Sequence, residues 1–180
     1  MAAMQQSQDN ESAGARYTQL QMNAQAAISA MELYEAFGET EYLSHGVSFA
    51  RILMACQASA VDPSFSIPLR GYFYENETHE RIQTYYHRSY EHAPIKAFAM
   101  LYRLAPEHED AARWKNSLEL YREYVALTSR TVPYGLLPNG IYELDNTDFS
   151  TITHEGARAA GAPSLEEYNA QVRNGIRLND

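Results

Sequence analysis

Two helix-length segments separated by a very short link are the feature that most constrains this sequence. From Arg16 to Phe37, apolar residues recur at alternating steps of four and three, which is the spacing of one face of an α-helix. Gly38 then stands where a helix C-cap belongs, and Thr40 is placed to cap a second helix with the same apolar period. Because the link has only about three residues, we expect the two helices to run antiparallel as an αα-hairpin.

The second half of the chain predicts another hairpin. Pro94 suits the first turn of a third helix, expected to end near Pro106, because proline lacks an amide hydrogen that would be unpaired there. The acidic residues among 107–110 are expected to open a fourth helix, since negative charge favours the positive end of the helix dipole. Ser164 indicates a last helix that reaches about Arg173. The apolar seam of the fourth helix consists of Trp114, Leu118, Tyr121 and Val125.

Two long segments, 59–92 and 128–163, show no sustained period and are predicted to be loops, the first with short strands at most. In an array of hairpins the tight turns fall on one side and the long loops on the other. We therefore expect both segments to share one face of an all-α protein, and this face is the candidate for function.

Composition excludes several classes of function. The chain of 180 residues has a net charge of -9 and only two lysines beside twelve arginines, so no basic stripe is expected for nucleic acid. No run of 18 apolar residues occurs, and the mean hydropathy of -0.47 predicts no membrane span.

The N-terminus carries no targeting signal that we recognise. Residues 1–15 lack both the basic segment and the apolar block of a signal peptide, and we assign them to a disordered N-terminal segment. Residues 16–180 are assigned to a single domain. Localisation stays open, with the cytoplasm as the default.

Metal and redox chemistry have little support in the sequence. The single cysteine, Cys56, lies in an apolar helical face and is predicted to be a packing residue. His79, His87 and His92 lack the spacing of a defined metal site, so we expect no metal and no cofactor.

Aromatic and polar residues gather on the long-loop face. Tyrosine offers a flat apolar ring and a hydroxyl, and such rings beside Arg, His and a carboxylate suit the faces and hydroxyls of sugars. The alternative is ordinary packing of loop tyrosines against helices, with the histidines capping a helix. The predicted carbohydrate-binding residues are Tyr72, Tyr74, Glu75, His87, Arg88, His92 and Tyr134.

No catalytic residue is predicted. Asp145 and Asp148 form a carboxylate pair of the kind used in glycoside hydrolysis, but their Asp-Asn-Thr-Asp context is typical of a turn. No serine has the Gly-x-Ser-x-Gly frame of a hydrolase nucleophile, and no glycine-rich run precedes a helix to hold phosphate.

Several segments resemble glycosidases built from six helical hairpins. The resemblance is to glycoside hydrolase family 9, cellulase-like enzymes with an (α/α)6 barrel, and it extends over roughly residues 16–180. It implies an interior fragment, two hairpins and the start of a third, of an enzyme that hydrolyses O-glycosidic bonds of a polysaccharide with inversion. The segments are Met31–Leu43, Gly71–Glu75, His92–Pro94, Arg113–Trp114, Pro133–Tyr142 and Arg173–Asn179.

The resemblance also implies that this chain is inactive alone. The family places a catalytic Asp-Ala-Gly-Asp pair before the matched region and a catalytic glutamate after it. The alternative is a non-catalytic helical-hairpin module that binds carbohydrate or a protein partner. An incomplete toroid would leave apolar helix sides uncovered, and we expect self-association there. The residues expected to be exposed are Ile28 and Met31 in the first helix, and Leu120, Tyr124 and Leu127 in the fourth.

Overall fold

The part of the chain that the computed structural model describes contains four α-helices with defined bounds. This part comprises residues 18–83 and 88–130, with side chains from residue 92 onward in the second range, and also Glu166, Asn169, Ala170 and Arg173. Within these residues no strand forms, and the predicted all-α class is confirmed. None of the described helices is long and apolar enough to cross a membrane. The helices are α1 (Gln19–Phe37), α2 (Thr40–Ala55), α3 (Arg88–Leu104) and α4 (Ala111–Thr128).

Both ends of α1 have defined caps. The Thr18 hydroxyl accepts a hydrogen bond from the Gln21 amide at 3.2 Å, and Gln21 Oε1 accepts one from the Thr18 amide at 3.2 Å. At the other end, Gly38 adopts a φ of 72° and its N–H donates to the Tyr34 carbonyl at 2.8 Å, as the sequence predicts. The prediction that Thr40 caps α2 is wrong, because Thr40 is already helical and Glu39 occupies the cap without a side-chain hydrogen bond.

The predicted starts of α3 and α4 are also wrong. Helix α3 begins at Arg88, so Pro94 lies inside it and not in its first turn. Pro94 removes one helical hydrogen bond, but the neighbouring face of α3, including Ala97 and Phe98, is fully buried and stabilises the helix. Helix α4 begins at Ala111 with Asp110 as its N-cap residue, so residues 107–110 precede its first turn. The Asp110 carboxylate makes no capping hydrogen bond and pairs with Arg51 and Arg113.

The helices pack as two connected hairpins. Helix α1 contacts α2 and α3, α2 also contacts α3, and α4 contacts α3 and, less extensively, α2. Glu32 pairs with Lys96 at 3.1 Å and Glu35 pairs with Arg103 at 2.9 Å. Glu35 comes after Glu32 in α1, and its partner Arg103 comes after Lys96 in α3. The two helices therefore run parallel. Gly46 lets α2 approach α1 closely, since a Cβ at this position would lie 2.6 Å from the Met31 sulfur of α1.

Residues 56–83, the loop layer, cover the second half of α4 and the start of α1. Isolated antiparallel bridges join Gln57 to Phe73, Asp62 to Leu69 and Tyr74 to Ile82. One stretch of this segment has a period that was not predicted. Between residues 64 and 70, burial alternates with each residue, as in a half-buried extended chain. The side chains buried by this alternation are Phe65, Ile67 and Leu69.

The packing of the helices and the loop layer overturns the expectation of uncovered helix sides. The rings of Phe73 and Tyr72 pack against α4, with centroids 6.0 Å from Tyr121 and 6.1 Å from Tyr124. On α1, Met31 lies beside Gly46 of α2. The prediction of exposure is wrong for four residues, whose relative exposures are 5% for Ile28, 0% for Met31, 7% for Leu120 and 2% for Tyr124. Leu127 is half-buried. Self-association stays a prediction, but these four buried residues do not provide the exposed apolar surface that was expected to mediate it.

Candidate functional site: a cleft between α2 and α4

A cleft of about 340 Å³ opens between the end of α2, the start of the loop layer and the first half of α4. Its volume lies at the lower end of the range for small-molecule sites. None of the residues predicted to bind carbohydrate lines it. The lining residues are Met54, Gln57, Ser59, Ala112, Arg113, Asn116, Ser117 and Leu120.

Gln57 is the most constrained polar side chain of the cleft. It is only 4% exposed. Its Nε2 donates one hydrogen bond to the Gly71 carbonyl at 3.1 Å and another to the Ser117 carbonyl at 3.0 Å. These two bonds use both amide hydrogens and join two parts of the loop layer to each other and to α4. The Gln57 Oε1 atom remains as a hydrogen-bond acceptor for which the described residues provide no donor.

Three further polar side chains of the cleft have no hydrogen-bond partner among the described residues: Ser59, Asn116 and Ser117. Helical serines elsewhere in the fold behave differently. Ser44 and Ser48 each donate to the backbone carbonyl four residues earlier, at 3.0 and 2.9 Å. Ser117 makes no such bond although it is 4% exposed. The cleft thus gathers hydrogen-bonding groups that the protein itself does not use.

An ion-pair network fixes the charged side of the cleft. The Arg113 guanidinium donates to Asp110 Oδ1 at 2.8 Å, and Arg51 Nε donates to Asp110 Oδ2 at 2.8 Å. Burial would raise the pKa of Asp110, but the hydrogen bonds from Arg113 and Arg51 hold this pKa below its usual range. Because the ionised Asp110 carboxylate pairs with the Arg113 guanidinium, Arg113 is held in place at the cleft while its side chain remains 60% exposed.

Gly71 seats the loop layer beside the cleft. Its φ is 89°, and a Cβ at this position would lie 2.0 Å from the backbone oxygen of Leu120. Only glycine permits this approach. The close contact places the Gly71 carbonyl where it accepts the hydrogen bond from Gln57.

The loop layer also contains three of the predicted sugar-binding residues, Tyr72, Tyr74 and Glu75. They belong to a cluster of side chains that does not line the cleft. The Tyr72 hydroxyl donates to Asp62 Oδ2 at 3.1 Å and lies 3.0 Å from the Tyr74 hydroxyl. Tyr72 is 2% exposed, and its burial, followed by the hydrogen bond with Tyr74, raises its pKa. Asp62 also accepts from Arg173 Nε at 3.3 Å, and this guanidinium lies 5.8 Å from the Phe65 ring centre. This cluster therefore holds the Arg173 side chain against the loop layer.

The rings of this cluster are occupied by protein contacts. Tyr74 stacks on His79 at a centroid distance of 4.3 Å, and the Glu75 carboxylate lies 3.9 Å from Arg81 Nε. Sugar binding by Tyr72, Tyr74 and Glu75 stays a prediction that requires these neighbours to move.

The other predicted residues do not join the cluster within the described structure. His92 is exposed on α3. The remaining candidates lie outside the described residues: His87, Tyr134, Asp145, Asp148 and the side chain of Arg88.

Cys56 confirms its predicted packing role. The thiol is buried and free, and burial raises its pKa to about 12. Among the described residues, no group of three metal-ligating side chains comes together.

Sequence reasoning missed the cleft, although one signal was present. Ser117 stands on the buried face of α4 between Trp114 and Tyr121, and a polar residue on an apolar seam often has a specific partner or ligand. Gln57 likewise follows directly on the apolar face that ends at Cys56. Ser59 and Asn116 carry no sequence signal.

Comparison with known proteins finds no match for this chain among family models, curated proteins or solved structures. The resemblance to family 9 glycosidases accordingly rests on the quoted segments alone.

Proposed function

We propose that this protein is a non-catalytic helical-hairpin module that binds carbohydrate in the cleft between α2 and α4. The observation that carries the proposal is the concentration of unused hydrogen-bonding groups in one concave place: Gln57 Oε1 and the side chains of Ser59, Asn116 and Ser117. Each sugar hydroxyl both donates and accepts, so a short oligosaccharide can use acceptors and donors together.

The apolar parts of the cleft suit the same ligand. Met54 and Leu120 provide aliphatic walls against which the C–H face of a sugar ring can pack. No aromatic side chain belongs to the lining, so ring stacking does not contribute there. We therefore expect modest affinity that depends mainly on hydrogen bonds.

The charges of the described carboxyl groups support binding over hydrolysis. Glycoside hydrolysis needs a carboxylic acid whose pKa is raised, so that it is protonated when the bond breaks. Where the described carboxyl groups depart clearly from their ordinary pKa, the direction is downward: Glu35, Asp62, Asp110 and Glu123. No carboxylate belongs to the cleft lining.

A second candidate function is that of a glycoside hydrolase fragment acting on a polysaccharide. Two short-linked hairpins with parallel α1 and α3 suit successive hairpins of an (α/α)6 toroid. The buried sides of α1 and α4 count against a fragment that awaits missing neighbours, because a module selected to stand alone should have a covered core.

Calorimetric titration of residues 1–180 with neutral β-linked disaccharides tests the first proposal. The panel consists of cellobiose, laminaribiose, xylobiose and mannobiose. We expect saturable binding of at least one sugar, weakened about tenfold by Asn116→Ala, which removes one or two hydrogen bonds. The matched control is Lys115→Ala, an exposed neighbour on α4 outside the cleft, which should bind like the wild type.

The same preparation distinguishes the two candidates. Failure to bind any sugar of the panel would refute the carbohydrate-binding proposal. Release of reducing sugar from β-glucan or aryl glycosides would favour the hydrolase fragment instead. Loss of that turnover in Asp145→Asn or Asp148→Asn would then assign catalysis to a pair that we predict to be a turn.

A further inference from the structure

The amide of Gln57 has one permitted orientation. Both hydrogens of Nε2 point at backbone carbonyls, those of Gly71 at 3.1 Å and Ser117 at 3.0 Å. Turning the amide by half a revolution would place Oε1 against these two oxygens, where acceptor faces acceptor and neither can bond. The protein thus commits Nε2 to backbone carbonyls and leaves Oε1 as the side-chain atom of this cleft-lining residue that a ligand can use.

The backbone on both sides of Gln57 is fixed as well. Tyr74 N–H donates to the Cys56 carbonyl at 2.8 Å, and Ala58 N–H donates to the Tyr72 carbonyl at 2.9 Å. Gln57 is 96% buried, as its exposure of 4% shows. The side chain therefore cannot swing away to suit a different ligand.

These observations give Gln57 a role that its neighbours cannot share. We propose that Gln57 is the specificity-determining residue of the cleft and requires the ligand to present an O–H or N–H donor to Oε1. This inference rests on the proposed carbohydrate-binding function. The two hydrogen bonds donated by Nε2 polarise the amide and strengthen Oε1 as an acceptor.

The other polar groups of the cleft adapt to donors and acceptors alike. A serine hydroxyl rotates, and the exposed Asn116 amide can turn, so neither side chain rejects a ligand oxygen that lacks a hydrogen. At Gln57, an ether, ester or carboxylate oxygen would leave two acceptors face to face in a mostly buried place. The ligand class is therefore a sugar with one free hydroxyl at this contact, and O-methylated or acidic sugars at that position are excluded.

The test uses the disaccharide of the panel above that binds most tightly, together with its monodeoxy and mono-O-methyl derivatives. We expect one hydroxyl position at which both changes weaken wild-type binding by tenfold or more. In Gln57→Met, which keeps the length without the amide, that discrimination should fall to twofold or less. In Asn116→Ala, overall affinity should drop while the discrimination ratio is retained.

A measurement on the wild type guards against a Gln57→Met variant that does not fold. In ¹⁵N-labelled protein, the Gln57 side-chain NH₂ resonances should be protected from solvent exchange and should shift when the disaccharide binds. Binding without any such shift would overturn the inference.

The remaining outcomes are also decisive. Equal affinity for all derivatives, or discrimination that persists in Gln57→Met, would overturn the role of Gln57 and leave the proposed function standing. Absence of binding by every sugar of the panel would overturn both.

Discussion

Replacing Gly71 by alanine should destabilise the fold severely. The new Cβ would lie 2.0 Å from the Leu120 oxygen and 2.4 Å from the Leu120 carbonyl carbon, in the backbone of α4. Neither atom can move independently of the helix. The loop layer must therefore retreat by at least about 1 Å, since real Cβ contacts below 3.0 Å essentially do not occur.

The expected loss has three parts. A left-handed conformation costs alanine about 1–2 kcal/mol. The hydrogen bond from Gln57 to the Gly71 carbonyl, worth about 1 kcal/mol, is stretched or lost. Partial uncovering of Leu120 and Tyr121 costs about 1 kcal/mol more. We therefore expect Gly71→Ala to lower the free energy of unfolding by about 3–4 kcal/mol.

Urea denaturation followed by circular dichroism measures this loss, and Gly38→Ala is the matched control. Gly38 has a similar φ of 72°, but a Cβ there would meet nothing within 4 Å. The control should lose only the conformational part, about 1 kcal/mol. Equal losses in the two variants would show that Gly71 does not seat the loop layer against α4.

Other predictions concern buried ionisable groups. Asp110→Asn should lose about 1–2 kcal/mol of unfolding free energy in urea at pH 7, while Glu109→Gln, on the exposed carboxylate that also pairs with Arg51, should change it by less than about 0.5 kcal/mol. Because the pKa of Asp110 is lowered by folding, its contribution is present above its unfolded pKa and disappears as pH falls through the folded pKa, so Asp110→Asn should flatten the acid side of the stability curve. Cys56 should resist a disulfide reagent at pH 8 in the native protein and react in urea.

The hairpins were predictable because their signals are local. The steps of four and three in α1, and a glycine at Gly38 that adopts a positive φ, determine helix and turn within a few residues of one another. The start of α3 was not predictable in the same way. Pro94 favours a helix start locally, and only the burial of its neighbours in the core allows the helix to extend past it.

The cleft depends on contacts between distant parts of the chain. Gln57 and Ser117 are 60 residues apart, and no local pattern indicates that their side chain and carbonyl meet. The loop layer between them carried a usable signal in the alternation of Phe65, Ile67 and Leu69 with polar or exposed residues. Recognising that period would have predicted a half-buried layer over α4, and with it the covered side of that helix.

The most direct test of the central claim is a chemical-shift titration of ¹⁵N-labelled residues 1–180 with the disaccharides of the panel. We predict that a saturating sugar shifts the backbone amides of residues 54–59 and 112–120, the two segments that line the cleft, and leaves the Tyr72 to Glu75 segment nearly unchanged. Shifts confined to Tyr72, Tyr74 and Glu75, or no shifts at millimolar sugar, would contradict the assignment of carbohydrate binding to this cleft.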